Sequence, residues 1–333
     1  MRNKLLDQIR LLAAFLVILI HAPLPGKAGQ VFEAVSRVAV PLFFMISGYY
    51  AHGKSKEKLL KNARKTAIML LWSVGLYFVC RILLSLYDNT TVAYLSQFLS
   101  LGIWVQTLVF NNGILLGHLW FLLALLYCYL LYALFLRKTS LTVRMCISVV
   151  LHVGFFVIRE VLKLHGIFDP AYYLRNFLFV GIPFFLMGGA INQIKARFLQ
   201  VPTAIWAVLI CVGTALACIE RFYVGCYDLY VGTGIAAVAL FMFAQKPEIP
   251  ASNVLASLGE KYAGDIYIFH SMMITVLNAA ASVTGILHTA VFPWVRPIIV
   301  LGISIGVAFF RQMLAKLLFK RDRINCMAIK SRR

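Results

Sequence analysis

The sequence predicts an all-α membrane protein with about ten transmembrane helices in one bundle. Three observations lead there. Hydrophobic residues make up 62% of the 333 positions, against roughly 45–50% in soluble chains, and the mean hydropathy is +0.85. The apolar residues gather into runs close to the about 20 residues that cross a hydrocarbon core. The charged residues, 32 Lys and Arg against 12 Asp and Glu, fall between these runs rather than on one soluble face. That placement suits membrane topology and excludes the nucleic-acid partner that a net charge of +20 would otherwise suggest.

The ten expected helices cover 5–24, 34–52, 66–87, 117–136, 143–163, 174–192, 203–219, 228–244, 264–284 and 295–318, within a single membrane domain spanning 1–333. Their all-round apolarity marks membrane helices rather than amphipathic surface helices, and segments this long favour helices over barrel strands. The first segment resembles a cleavable leader, but Asp7 and Arg10 abut its apolar run, so it is expected to be a retained helix. Residues 88–117 lack Lys and Arg and contain Phe98, Trp104 and Phe110, which suits an outer re-entrant or interfacial segment.

Orientation follows from the distribution of basic residues. With the N-terminus in the cytoplasm, 21 Lys and Arg fall on the inner side and 6 on the outer side (Lys27, Arg159, Lys163, Arg175, Arg221 and Arg296). The remaining five, Arg10, Arg37, Arg81, Arg311 and Lys316, lie within helices. This bias predicts a multi-pass protein of the cytoplasmic membrane with both termini inside. Of the seven Cys, most lie inside apolar runs and act as small hydrophobes. No C-x-x-C pair exists, and Cys218 and Cys226, which bracket an outer loop, would pair only if that side is oxidising.

An ionisable residue deep in a membrane helix costs about 2.5–3.5 kcal/mol on insertion scales and is a functional candidate by default. The first helix holds Asp7, Arg10 and His21. Eleven residues at about 100° each bring Arg10 and His21 onto one face, roughly 16 Å apart along the axis. Asp7 stands one turn below Arg10, placed to pair with it. Arg10 would also be at home as a residue snorkelling to the inner interface. Arg37 opens the second helix at the outer depth, near the level of His21, and Ser47 and Gly48 follow in a run suited to close packing.

At the inner surface Lys54, Lys56, Lys58, Lys61, Arg64 and Lys65 form a basic run. Such a run attracts anionic lipid and equally suits a polyanionic donor. His118 and Trp120 open the fourth helix at the outer interface, where such residues also act as ordinary anchors. In the ninth helix Asp265 and His270 are about 140° apart and do not share a face. His270 lies near mid-membrane with no partner evident from sequence. Glu33 is a candidate partner for His21 by depth alone. No His pair has i, i+4 ligand spacing, so no metal is expected.

The Arg10–ten residues–His21 arrangement, the run Val40-Pro41-Leu42-Phe43-Phe44-Met45-Ile46-Ser47-Gly48-Tyr49, the run His118-Leu119-Trp120-Phe121-Leu122, Gly181-Ile182-Pro183-Phe184-Phe185, and Tyr267 through His270 together resemble the acyltransferase-3 family of polytopic membrane acyltransferases. The resemblance covers nearly the whole chain in order. Family members often carry Asp where Pro41 stands, so this chain looks like a sub-branch. The resemblance implies a ten-helix fold and transfer of an acyl group, most often acetyl, from acyl-CoA to a hydroxyl of a cell-envelope glycan or lipid-linked sugar. It implies that His21 and Arg10 match the essential catalytic pair, and that Arg64 and Lys65 match a basic pair at the start of the third helix.

On that basis Arg64, Lys65 and Lys61, with Ser47, are expected to bind acetyl-CoA as a co-substrate, no cofactor being held permanently. Arg37, His118, Trp120 and His270 are expected to contact the acceptor. The partners are then the lipid bilayer, acyl-CoA and an envelope glycan or lipid-linked sugar. The alternative is a small-molecule carrier, because intramembrane charges and Pro41 and Pro183 suit transporters too. The membrane half of a vancomycin-resistance-type serine racemase is similar to this family and is regarded as a serine carrier.

Overall fold

The computed structural model describes residues 3–167 and 171–330, with residues 171 and 318–330 described by backbone alone. Arg2 and the basic side chains from 320 onwards therefore lie outside the described residues. Everything regular among the described residues is helical: α1 (Lys4–His21), α2 (Gly26–Ser36), α3 (Ala39–Ala51), α4 (Lys56–Tyr87), α5 (Thr91–Ser96), α6 (Leu101–Leu108), α7 (Trp120–Leu131), α8 (Leu141–Leu164), α9 (Ala171–Leu174), α10 (Ile182–Gln193), α11 (Lys195–Leu199), α12 (Thr203–Tyr223), α13 (Val231–Phe243), α14 (Asn253–Val283) and α15 (Phe292–Lys330). Four of the long helices, α1, α4, α8 and α14, start on polar caps. Asn3 accepts from the Leu5 and Leu6 amides, and Ser55, Ser140 and Ser252 each accept from the amide three residues on. These caps satisfy donors that have no partner within the helix.

Each of the ten expected segments contains helix, with several bounds shifted. Among the described residues, seven stretches are long and apolar enough to cross a membrane: Gly26–Ala51, Lys56–Tyr87, Gly117–Leu136, Leu141–Leu164, Thr203–Tyr223, Asn253–Val283 and Phe292–Leu317. Phe177–Gln193 and Val231–Phe243 are apolar but shorter, and α1 carries Lys4, Asp7 and Arg10 within its 18 residues. The long helices turn apolar side chains outward, with Leu71 71% and Val150 67% exposed, as a lipid-facing surface requires.

The second expected helix is interrupted. Residues 37 and 38 form a turn between α2 and α3, and Pro41 supplies the reason, since it has no amide to donate to the Arg37 carbonyl. Pro41 then sits in the first turn of α3, where that loss is harmless. Residues 88–117 contain only short helices, entered and left through left-handed residues at Asn89 (φ 55°), Asn111 (φ 53°) and Gly117 (φ 46°). None of those helices is long enough to span. Single π-helical turns, Tyr132–Leu136 and Phe177–Gly181, extend α7 and lead into α10.

The chain divides into two compact units, Met1–Ser36 with Pro250–Arg333, and Arg37–Ile249. In the first unit α1 and α14 run parallel. Lys4 Nζ donates to Asn253 Oδ1 (2.8 Å) and Gln8 Nε2 to the Ser252 carbonyl (3.0 Å) at one end, while His21 meets His270 at the other. Between these ends Gly259 lets the two backbones touch, because a Cβ there would fall 1.8 Å from the Asp7 carbonyl oxygen. α15 returns antiparallel to α14, with Gln312 Nε2 donating to the Lys261 carbonyl (2.8 Å).

In the second unit α3 and α10 run parallel and close. A Cβ at Gly48 would lie 1.8 Å from the Phe185 carbonyl oxygen, and one at Gly188 2.0 Å from that of Met45. α8 lies antiparallel to α10, with Ser148 Oγ donating to the Pro183 carbonyl (2.9 Å) and Arg144 Nη2 to Gln193 Oε1 (2.6 Å). α12 and α13 pack antiparallel, and Glu220 accepts from the Val231 (3.1 Å) and Gly232 (2.9 Å) amides at the start of α13.

Helices that touch backbone to backbone cannot accommodate a methyl group without separating. Gly48→Ala is expected to destabilise the protein by about 1–3 kcal/mol, seen as a lower melting temperature in detergent. Gly75→Ala, where a Cβ meets nothing within 4 Å, is the control and should leave the melting temperature unchanged or slightly raised.

Candidate active site

The first unit brings together two histidines that the sequence left apart. His21 ends α1 and is exposed, whereas His270 is fully buried in α14. Their ring centroids are 5.1 Å apart with planes tilted by 42°, and the Tyr267 ring lies 6.0 Å from His270. His270 Nδ1 lies 2.8 Å from the Tyr267 carbonyl oxygen and 3.3 Å from that of Ile266. A carbonyl can only accept, so Nδ1 carries a proton, and in the neutral ring Nε2 holds the lone pair. Two imidazoles in contact, one with its tautomer fixed by backbone, form a unit that can take up and pass on a single proton.

One end of α1 thus holds His21 and the other the ion pair that the sequence predicts. Asp7, 2% exposed, accepts from Arg10 Nη1 at 3.1 Å. Asp265 turns to the opposite flank of α14, where Arg311 Nη2 (2.7 Å) and Gln312 Nε2 (3.1 Å) donate to it. Arg311, one of the five cations that the sequence places within helices, is committed to this carboxylate. Glu33 lies part-exposed in α2.

The remaining expected site residues belong to the second unit. Arg37 Nη1 donates to Asp228 Oδ1 at 2.7 Å, and Arg175 Nη1 approaches the same oxygen at 3.8 Å. The Arg175 guanidinium lies over the Trp120 ring, 5.6 Å from its centroid, and the His118 ring meets Tyr77 edge-on at 4.9 Å. Sequence reasoning missed Asp228 because it started the eighth helix at that residue. α13 begins only at Val231, which leaves Asp228 in the preceding loop. The signal was present: an acid beside an apolar segment, on the outer side where the sequence also places Arg37 and Arg175. Cys226 and Cys218 are not joined in a disulfide, and Arg37 Nη2 reaches Cys226 Sγ at 3.5 Å.

At the far end of α3 from Arg37, the basic run opens α4. Lys61, Arg64 and Lys65 are exposed, and their i, i+3, i+4 spacing sets them on one face. Lys54 has a lowered pKa, from burial first and then from Lys58 and Lys65. This end therefore gathers cations close enough to repel one another. Arg144, 4% exposed, is held by neutral partners, Gln193 and the Tyr132 hydroxyl (3.3 Å). Ser47 Oγ donates to the Phe43 carbonyl of its own helix at 2.8 Å.

Comparison with known proteins adds the family. The sequence profile of the acyltransferase 3 family, an acyltransferase domain, matches residues 3–311. Two curated relatives are similar over shorter stretches. A serine/alanine racemase of Enterococcus gallinarum is 33% identical over 139 residues, 38% of this chain and 18% of the relative. An amino-acid racemase of Enterococcus faecalis is 26% identical over 152 residues, 44% of this chain and 21% of the relative. The matched stretches thus span about a fifth of these relatives' length. No solved structure matches the chain significantly.

His52, which caps α3 beside this basic end, has a pKa lowered from 6.5 by burial and then by Arg144. The unfolded chain therefore binds the proton more readily, so this histidine contributes stability above pH 6.5 that is lost as pH falls from there towards its folded pKa. His52→Asn is expected to flatten the slope of melting temperature against pH in that window, in denaturation scans between pH 5 and 7.5.

Proposed function

This chain belongs to the acyltransferase 3 family and is a membrane transferase, and from that premise we propose that it moves an acyl group, acetyl in the simplest case, from cytoplasmic acyl-CoA to a hydroxyl of a cell-envelope glycan or lipid-linked sugar on the outer face. The observation that carries the reading is the contact between His21 and His270 on a helix whose other end holds the Asp7–Arg10 pair. In this reading His21 takes the proton from the acceptor hydroxyl. The acceptor oxygen attacks the thioester carbonyl carbon, the carbon–sulfur bond breaks, and the proton passes to the departing CoA thiolate. His270, its tautomer set by backbone carbonyls, orients His21 and relays the proton. General acid–base catalysis of this kind contributes about 10²–10⁴ in rate.

Arg10 steadies the anionic donor along α1. Lys61, Arg64 and Lys65 take the donor phosphates, a role supported by their exposure on one face and by the mutual repulsion around Lys54. Ser47 belongs to the same donor-binding set. Arg37, His118 and Trp120 contact the acceptor. The 21-to-6 distribution of basic residues supports ten spans in one membrane domain with both termini cytoplasmic, and the parallel pairing of α1 with α14 agrees with that alternation. A carrier of small amino acids is the second reading. Both curated relatives are named as racemases of amino acids, which supports an amino acid as the cargo in that reading.

Labelled acetyl transfer from acetyl-CoA into envelope material, followed in isolated membranes, separates the two. Wild type should transfer label. His21→Ala, at equal protein level, should lose about 10²–10⁴-fold of the rate. Equal labelling by both proteins would remove His21 from the mechanism. Serine uptake without any acyl transfer would establish the carrier instead.

A further inference from the structure

We propose that the second unit carries a binding site for a phosphate-bearing membrane lipid, its head between Arg37, Arg159 and Arg175 and its tail in the groove between α8, α10, α12 and α13. The site deepens the acyltransferase reading, on which it rests for its purpose, because such a lipid would present the acceptor.

The head region is built around the dipeptide Tyr227-Asp228. Asp228 takes Arg37 and Arg175. The Tyr227 ring takes Arg159 at 4.9 Å and Lys163 at 5.6 Å. Glu160 accepts from Arg159 at 2.8 Å and from Lys163 at 3.2 Å. Arg37 and Arg175 thus share one carboxylate, and Arg159 and Lys163 another. Three of the four, Arg159, Lys163 and Arg175, come from the six basic residues that topology leaves on the outer side, where basic residues are disfavoured. Buried donors are left over as well. Arg159, 7% exposed, has Nη1 without an acceptor, and Arg175 has Nε without one. Guanidinium groups with spare N–H donors match the oxygens of a phosphate.

The tail region lies on helices that carry or adjoin the head residues. A groove of about 410 Å³ is lined by His152, Phe184, Met187, Trp206, Val231 and Ile235 among others. His152 and Arg159 are seven residues apart on α8, about two turns and one face. Val231 lies three residues beyond Asp228. Phe184 stands on α10, reached from Arg175 through the π-helical turn. A groove this apolar on the flank of a membrane helix bundle takes a hydrocarbon chain, and a soluble phosphate has nothing to place there.

The test uses the purified full chain in detergent and native mass spectrometry with three probes: dipalmitoyl phosphatidic acid, dipalmitoyl phosphatidylcholine and inorganic phosphate. Phosphatidic acid is expected to bind at least tenfold more tightly than phosphatidylcholine. Arg175→Gln and Arg159→Gln should each weaken it by about fivefold, with Arg175→Lys retaining part of the binding. Ile235→Trp, which fills the groove, should weaken both lipids alike. Equal affinity for the two lipids, or indifference to Arg175→Gln, would overturn the head assignment. Inorganic phosphate binding as tightly as phosphatidic acid would replace the lipid with a free anion. The measurement needs no acyl donor. Lipid binding without acetyl transfer would therefore sink the transferase mechanism alone, and transfer without lipid binding would sink this site alone.

Discussion

The constraint on which this molecule depends is that a cation inside an apolar helix must find an acid or a polar cage. With only 12 acidic residues in 333, each buried carboxylate has a structural assignment. Asp7 holds Arg10 within α1, Asp265 ties α15 to α14 through Arg311, and Asp228 gathers Arg37 and Arg175 in the second unit. Arg144 relies on the neutral groups of Gln193 and Tyr132. A lone buried charge would cost several kcal/mol. The pairings thus decide which helices can be neighbours as firmly as the apolar surfaces do, and beside them His21 and His270 meet ring to ring.

Close packing supplies the second layer of specification. Lipid tails are as apolar as leucine, so burying leucine against leucine gains little inside a membrane. Contact between helices then depends on small residues that admit backbones. Gly259 does this for α1 and α14, and Gly48 with Gly188 for α3 and α10. The histidine contact and the Asp7–Arg10 pair lie on the same helix pair that Gly259 draws together, which ties the chemistry of the first unit to its packing.

Much of this was legible in the sequence, for reasons that can be named. The helical segments were readable because length and all-round apolarity are local properties. The Asp7–Arg10 pair was readable because i, i+3 spacing is fixed by helix geometry. The break at Arg37 was missed, although Pro41 marks it, because apolarity continues across it. The approach of His270 to His21, and of Asp228 to Arg37, joins residues about 190 to 250 positions apart. No periodicity within one segment carries that information. The 140° between Asp265 and His270 did show that they serve different neighbours, and they do: Arg311 for one, His21 for the other.

The parallel pairing of α1 with α14 has a consequence in time. Lys4 and its partner Asn253 are 249 residues apart, so at about 5–20 residues per second of synthesis the first helix waits roughly ten to fifty seconds for the surface it will pack against. During that interval α1 must reside in the membrane with Asp7 and Arg10 already aboard. Because those two charges neutralise each other within one turn, the helix needs no partner to be tolerated there. His21 meets His270 only when α14 arrives. The nascent protein is thus assembled with its first helix parked and chemically incomplete, and the histidine pair closes among the last events of biogenesis.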